Sequence, residues 1–325
     1  MKKFLIKTLI FCALLITFGF ATEYVVDTVF RKIKNIITSS AELVYFQLWN
    51  DIFESKVNAD VVAVGNSRTW VNINPYILDS ILGVNSYNLG LNAQPFPMQY
   101  VRFELLKQYN TKPKLVIQNV DCFTFNRNKL SVPDNTFLPF THIKPIRNEL
   151  RQSGVFAALY IPAFKYRGKI QFIKQGVQYF CKKELGNTDE AGIYKGFFNK
   201  NTAWDDSELN NQLKSGKMNS AKNPEVLTMF DNYLNECKAD NIFVVLVRVP
   251  MYYKAYEMFS DNEEMTELYC SFAAKYGFTF LDYSEHFLCS DTAYFYNASH
   301  LNLAGANIFT AQLANDIDEL GVLKP

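Results

Sequence analysis

Residues 61–70, Val-Val-Ala-Val-Gly-Asn-Ser-Arg-Thr-Trp, constrain this chain more than any other stretch. A run of small and β-branched apolar residues without polar alternation suits a strand buried on both faces of a parallel sheet. It stops at Gly65-Asn66-Ser67, which puts Ser67 just past the strand's carboxyl end. Open α/β sheets bind ligands outside that edge, so a hydroxyl there is a candidate nucleophile. An ordinary strand-to-helix turn with Ser67 as the helix cap accounts for the same residues.

The α/β rhythm continues downstream. A short helix over 74–82 precedes an apolar strand over 86–89, and Gly90-Leu91-Asn92 makes the next loop. Residues 97–109 place Met98, Val101, Leu105 and Tyr109 on one helical face, with Pro97 near the start, where a missing N–H costs least. A third strand over 115–120 ends in Asp121. The rhythm then lapses over 122–223, a segment rich in aromatics such as Phe137, Tyr166, Phe198 and Trp204. Lying after a strand's carboxyl end, that insertion is expected over the edge that holds Ser67, as a lid or sugar-binding wall, or else as a subdomain with its own aromatic core. From Pro224 the pattern predicts a helix over 226–239, a strand over 242–249, a helix over 263–276 with Gly277 as C-cap, and a strand over 279–281. A last helix starts at Asn302, a suitable N-cap. The whole predicts a five-stranded parallel sheet with helices on both faces and a large insertion after strand three. His300 then stands just before the last helix, at the same sheet edge as Ser67.

Residues 1–30 read as a signal or membrane anchor: Lys2 and Lys3 lead an apolar run interrupted only by Lys7. The uninterrupted part, 8–21, suits a signal peptide cut after Ala21; counted from Phe4, the run is long enough for a retained anchor. Both readings send the body out of the cytoplasm, to the periplasm or cell surface. Residues 31–57 read as a helical connector, and 58–325 as the α/β domain that the insertion interrupts. A formal net charge of +1 offers no field for a polyanion, so nucleic acid is not an expected partner. Six scattered cysteines and three histidines show no metal-ligand spacing, and neither a metal nor another cofactor is expected. Cys237 and Cys270 fall in helical patterns and read as small core residues.

The Gly65-Asn66-Ser67 turn, the stretch Asn88-Leu89-Gly90-Leu91-Asn92 and the C-terminal Asn297-Ala298-Ser299-His300 together resemble the SGNH (GDSL-like) hydrolase superfamily, nearest its membrane-anchored or secreted branch of envelope esterases and O-acetyltransferases. The resemblance covers roughly 58–120 and 240–320. It implies a doubly wound, flavodoxin-like sheet, Ser67 as nucleophile, His300 as base and Gly90 in an oxyanion hole. Two positions depart from the family pattern: Asn297 stands where the family has Asp, and residues 115–121 hold no Gly-x-Asn-Asp block.

The chemistry of these residues is nucleophilic catalysis. A serine hydroxyl needs a base to take its proton, and histidine suits that task near neutral pH. The N–H groups of Ser67 and Gly90 are the expected oxyanion donors, with the Asn92 amide as a third and Asn119 as its substitute. Arg68 reads either as a contact to an anionic or sugar substituent or as a structural ion-pair partner. Asn297 can orient the imidazole through its carbonyl oxygen but brings no charge; Asp291 and Glu285 are the carboxylates nearest in sequence that could supply it. The expected activity is a serine esterase or O-acyltransferase acting on acylated glycans or small acyl esters at the cell envelope. The alternative is a catalytically weak or inactive polysaccharide-binding protein of envelope assembly.

Overall fold

The computed structural model describes residues 1–32, 41–127, 137–152, 154, 159–161, 164–184, 193–198, 201–214 and 216–323. Part of the expected connector, including Lys34, and parts of the expected insertion lie outside them. The chain divides into two units, Met1–Asn50 with Lys129–Ala191, and Asp51–Asn128 with Gly192–Pro325. The expected insertion is thus shared between them. Two helices open the chain, α1 (Lys2–Arg31) and α2 (Ala41–Phe53), the second ending in the larger unit.

The larger unit is built on strands β1 (Val61–Val64), β2 (Ser86–Asn88), β3 (Leu115–Asn119), β4 (Phe243–Arg248) and β5 (Thr279–Asp282). They form one sheet in the order β2-β1-β3-β4-β5, each neighbouring pair parallel. This is the doubly wound, flavodoxin-like order, with its switch point between β1 and β3. The register sets Val61 beside both Ser86 and Leu115, and Leu115 beside Phe243. The unit's helices of six or more residues are α3 (Ser67–Asn72), α4 (Pro75–Leu82), α5 (Phe96–Tyr109), α6 (Ser207–Lys214), α7 (Pro224–Ala239), α8 (Asn262–Tyr276) and α9 (Leu303–Glu319).

Both faces of the central strands β1, β3 and β4 are covered, which is why they read as largely apolar runs, whereas the edge strand β5 is only partly buried. On one face Val61, Ala63, Leu115, Ile117, Val245 and Val247 pack with Leu78 of α4 and Phe309, Leu313 and Ile317 of α9. The alternate residues Val62, Val64, Val116, Val244 and Leu246 point the other way and are equally buried. On that side α5 packs on α7 and α7 on α8, with Phe96 and Phe230 rings 4.9 Å apart and Phe103 and Tyr233 rings 5.3 Å apart. Burying each such aliphatic side chain contributes about 1.5–3 kcal/mol. The caps follow the sequence signals: Asn302 Oδ1 accepts from Gly305 N–H, and Gly277 takes the left-handed conformation after α8. Cys237 is buried as expected, whereas Cys270 is exposed on the outer side of α8, because α8 buries only the stripe that holds Met265, Tyr269 and Ala273.

In the smaller unit, α1 is long and apolar enough to cross a membrane, with a mean hydropathy of 2.2 over its most apolar window. From Phe4 to Val25 its large apolar side chains are exposed. At ~1.5 Å per residue that stretch is roughly 33 Å long, against ~30 Å for a hydrocarbon core. The helix runs unbroken through Ala21, and its last turns are held within the unit. Asp27 pairs with Lys165 Nζ at 2.7 Å and accepts from Tyr166 Oη at 2.5 Å. The Phe30 ring stacks on Phe46 and Phe172, and it passes so close to Gly176 that a Cβ there would meet it at 2.5 Å. Phe137, Phe140, Tyr166 and Tyr179 of the expected insertion are buried in this unit.

The close approach that matters most to the sheet edge is at Gly90, where a Cβ would stand 2.3 Å from Trp70 N and 2.7 Å from its Cα. Both are backbone atoms of α3, which cannot rotate away. The Gly90→Ala variant is therefore expected to lose about 1–3 kcal/mol, the cost of overpacking. A urea unfolding midpoint equal to that of the parent would contradict this.

Candidate active site

The chain leaves β1 at Val64 and enters α3 at Ser67. The cap is Asn66, not Ser67: Asn66 Oδ1 accepts from Arg68 N–H at 3.0 Å. An Asn side chain reaches the second helical N–H from this position, so the serine hydroxyl is left for another partner. Asp121, just past β3, fixes the turn. Its carboxylate accepts from Asn66 Nδ2 and from Phe123 N–H, both at 2.7 Å, and pairs with Arg68 Nη1 at 2.6 Å. Burial alone would raise the Asp121 pKa, but the Arg68 charge and these hydrogen bonds outweigh it and hold the carboxyl below its ordinary value. For Arg68 burial acts to lower the pKa, and the Asp121 charge reverses it to a net rise. Beneath the turn, the fully buried Arg102 donates from Nη2 to Gly65 O at 3.2 Å, and burial brings its pKa down to about 9.

His300 arrives on a hairpin in which Phe295–Asn297 pairs antiparallel with His300–Leu301, Asn297 lying opposite His300. The hairpin is tied to α3, since Asn72 Oδ1 accepts from Leu301 N–H at 3.0 Å and Asn72 O accepts from Thr310 Oγ1 at 3.1 Å. His300 Nε2 stands 2.8 Å from Ser67 Oγ, and Nδ1 stands 2.9 Å from Asn297 Oδ1. The His300 ring stacks on Tyr296 with centroids 5.3 Å apart. Ser67 and His300 are both half-buried, open enough to meet a substrate. Asn297 Nδ2 donates to Glu208 Oε2 at 3.1 Å, a carboxylate the sequence reading missed. Glu208 lies 89 positions from Asn297, and no spacing signals it. Of the two carboxylates nearest in sequence, Asp291 caps Ala293 N–H, and Glu285 is exposed with no bond to Asn297 among the described residues.

The remaining candidates divide. Ser67 N–H, first in α3, has no acceptor among the described residues, as expected of an opening helical N–H. Gly90 N–H, expected to be an oxyanion donor, is instead given to Asn88 Oδ1 at 2.7 Å. Asn88 is fully buried and also donates from Nδ2 to Thr69 O and Ile73 O, so it locks the β2 loop to α3. Asn92 is exposed, and no hydrogen bond engages its side chain among the described residues. Asn119, its expected substitute, spends Nδ2 on Asn66 Oδ1 and Asp121 Oδ2. Arg68 is only 4% exposed, packs over the Phe123 ring and is ion-paired with Asp121, the structural partnership that was one of its two readings. Cys122 lines a cleft behind Asp121, and burial pushes its thiol up to about 12, which leaves it a poor nucleophile. Among the described residues no cluster of side chains could hold a metal.

Removing the Asp121 charge leaves Arg68 buried and unpaired. The Asp121→Asn variant is expected to lose about 3–5 kcal/mol. Because the folded pKa of Asp121 is depressed, its contribution is full above about pH 4, the unfolded value, and is lost as pH falls through the lower folded value. Urea midpoints taken between pH 6 and pH 3 should fall more steeply for the parent than for Asp121→Asn; parallel curves would contradict the assignment.

No protein family and no curated protein matches this chain in sequence. Several solved structures overlap it, two of them as follows. One, described as a candidate acylhydrolase from Bacteroides fragilis NCTC 9343, is 14% identical with a TM-score of 0.36, over 79% of this chain and 86% of that one. The other, described as a GDSL-like lipase from Bacteroides thetaiotaomicron VPI-5482, is 14% identical with a TM-score of 0.37, over 80% of this chain and 88% of that one. At such identities and TM-scores neither bears on what this chain does.

Proposed function

We propose that this protein is a serine esterase or O-acyltransferase of the SGNH type, acting on acylated glycans at the cell envelope through a covalent acyl-enzyme. The observation behind it is the hydrogen-bonded series Ser67 Oγ, His300 Nε2, His300 Nδ1 and Asn297 Oδ1 at the carboxyl edge of the sheet, with spacings of 2.8 and 2.9 Å. Nucleophile, base and orienting group are in hydrogen-bond reach of one another, as acyl transfer requires. In this reading Ser67 Oγ attacks the ester carbonyl carbon and its proton passes to His300 Nε2. The oxyanion is met by Ser67 N–H and the Asn92 amide. Collapse expels the alcohol, which takes the proton from His300. Water or a sugar hydroxyl then gives its proton to His300 and attacks the acyl carbon. The second collapse breaks the Ser67 ester bond, Ser67 Oγ takes the proton back from His300, and the acid or the new ester leaves.

The bond from Gly90 N–H to Asn88 favours the second reading, a weak or inactive polysaccharide-binding protein, because one expected oxyanion donor is occupied. A fluorophosphonate probe separates the two, since only an activated serine is labelled. Labelling of the parent and not of Ser67→Ala is expected. Ser67→Ala and His300→Ala should each lower hydrolysis of short acyl esters by about 10³-fold or more, and the double variant little further, because the two act as a unit. An unlabelled parent that turns over esters no faster than Ser67→Ala would overturn the enzymatic reading.

The proposed location is extracytoplasmic, with α1 as anchor. It rests on Lys2 and Lys3 ahead of the exposed apolar stretch, since basic flanks stay in the cytoplasm. Protease added to spheroplasts should digest the body beyond about residue 30, the end of the apolar segment. A body that survives until the membrane is breached would reverse the orientation.

A further inference from the structure

We propose that Glu208 is a positioning residue of this site: through Asn297 it sets the tautomer of His300, and it brings the negative charge that the amide at position 297 lacks. The inference rests on the hydrolase reading for its kinetic consequences, though not for its structural one.

An asparagine amide can be turned either way at little steric cost, so its neighbours decide which end faces the imidazole. Two of them do so here. Ser299 N–H can only donate, and it lies 3.1 Å from Asn297 Oδ1. An ionised Glu208 can only accept, and its Oε2 lies 3.1 Å from Asn297 Nδ2. The oxygen end must then face His300 Nδ1, which has to be the protonated nitrogen. Nε2 is left as the acceptor for the Ser67 hydroxyl. Turned over, the amide would offer N–H to Nδ1, move the imidazole proton to Nε2 and disable the base.

Glu208 is exposed, but its place is built. Its neighbour Leu209 is buried against Met251 and Ala298. Asp205 N–H donates to Tyr296 O at 2.9 Å, which docks the segment before α6 on the His300 hairpin. Gln212 Nε2 donates to the other carboxylate oxygen, Oε1, at 3.2 Å. Both oxygens are thus engaged. Solvent screens a charge in such a position, so Glu208 acts mainly through the hydrogen-bonded amide.

The test uses the full chain in detergent with Glu208→Ala, Glu208→Gln, Asn297→Asp and the double variant Glu208→Gln/Asn297→Asp. Glu208→Ala is expected to lower kcat about tenfold with KM nearly unchanged, and to move the acid limb of the pH profile to lower pH, since the imidazolium loses a favourable charge. Glu208→Gln keeps an acceptor and loses the charge, so its kcat should fall between Glu208→Ala and the parent. Asn297→Asp alone sets two carboxylates within hydrogen-bond distance, which blunts any gain; the double variant should exceed it about tenfold. Nitrogen-15 NMR of His300 reads the tautomer without activity. The parent is expected to show the Nδ1–H form, and Glu208→Ala a mixture. An unchanged tautomer and pH profile in Glu208→Ala would overturn the proposal. If the parent hydrolyses nothing, the hydrolase reading falls, and the tautomer comparison still supports or overturns the role of Glu208.

Discussion

The candidate site depends on the buried pair of Arg68 and Asp121. Arg68 directly follows the candidate nucleophile, and Asp121 lies just past β3, so the pair clamps the two strand ends that flank the switch point of the sheet. Such a pair is stable only when the remaining carboxylate lone pairs are satisfied. Asn66 Nδ2 and Phe123 N–H satisfy them, and the Asn66 bond also holds the cap of α3 in place. The direction in which Ser67 presents its hydroxyl therefore follows from a charge that never meets solvent.

A second set of polar ties carries that geometry across the molecule. Asn72 holds the backbone of Leu301 and the hydroxyl of Thr310, and Asn74 Nδ2 donates to Asn307 Oδ1 at 2.8 Å. These bonds dock α3 and the start of α4 on the His300 hairpin and α9. An apolar contact would tolerate sliding, whereas a buried amide loses its partner if the elements shift by an ångström. This is how residues 233 positions apart come within 2.8 Å.

The segment between β3 and α7 serves the two units differently. Its aromatics in the smaller unit are packing residues, as Phe137 shows by meeting the Trp49 ring edge-on at 5.7 Å. Its later part, in the larger unit, meets the site: Phe198 stacks on Trp70 at 4.5 Å, and Glu208 reaches Asn297. The lack of an α/β rhythm over this segment is therefore no measure of its distance from the chemistry.

The central strands were legible in the sequence because strands buried on both faces admit little but apolar residues, and their runs stop at Gly65, Asp121 and Pro250. The pairing of Ser67 with His300 was legible for the same reason, since both fall at carboxyl ends or just before a capped helix on one edge. Residue type alone could not say that Asn66 caps α3, that Gly90 N–H goes to Asn88, or that Arg68 is sealed against Asp121. An Asn or Arg near a turn has several partners in reach, and only the packed neighbours decide among them. Glu208 was the least visible of all. Hydrogen bonding to Asn297 depends on how a distant helix docks through Leu209 and Asp205, and that is a property of the tertiary fold, with no periodicity or spacing to record it.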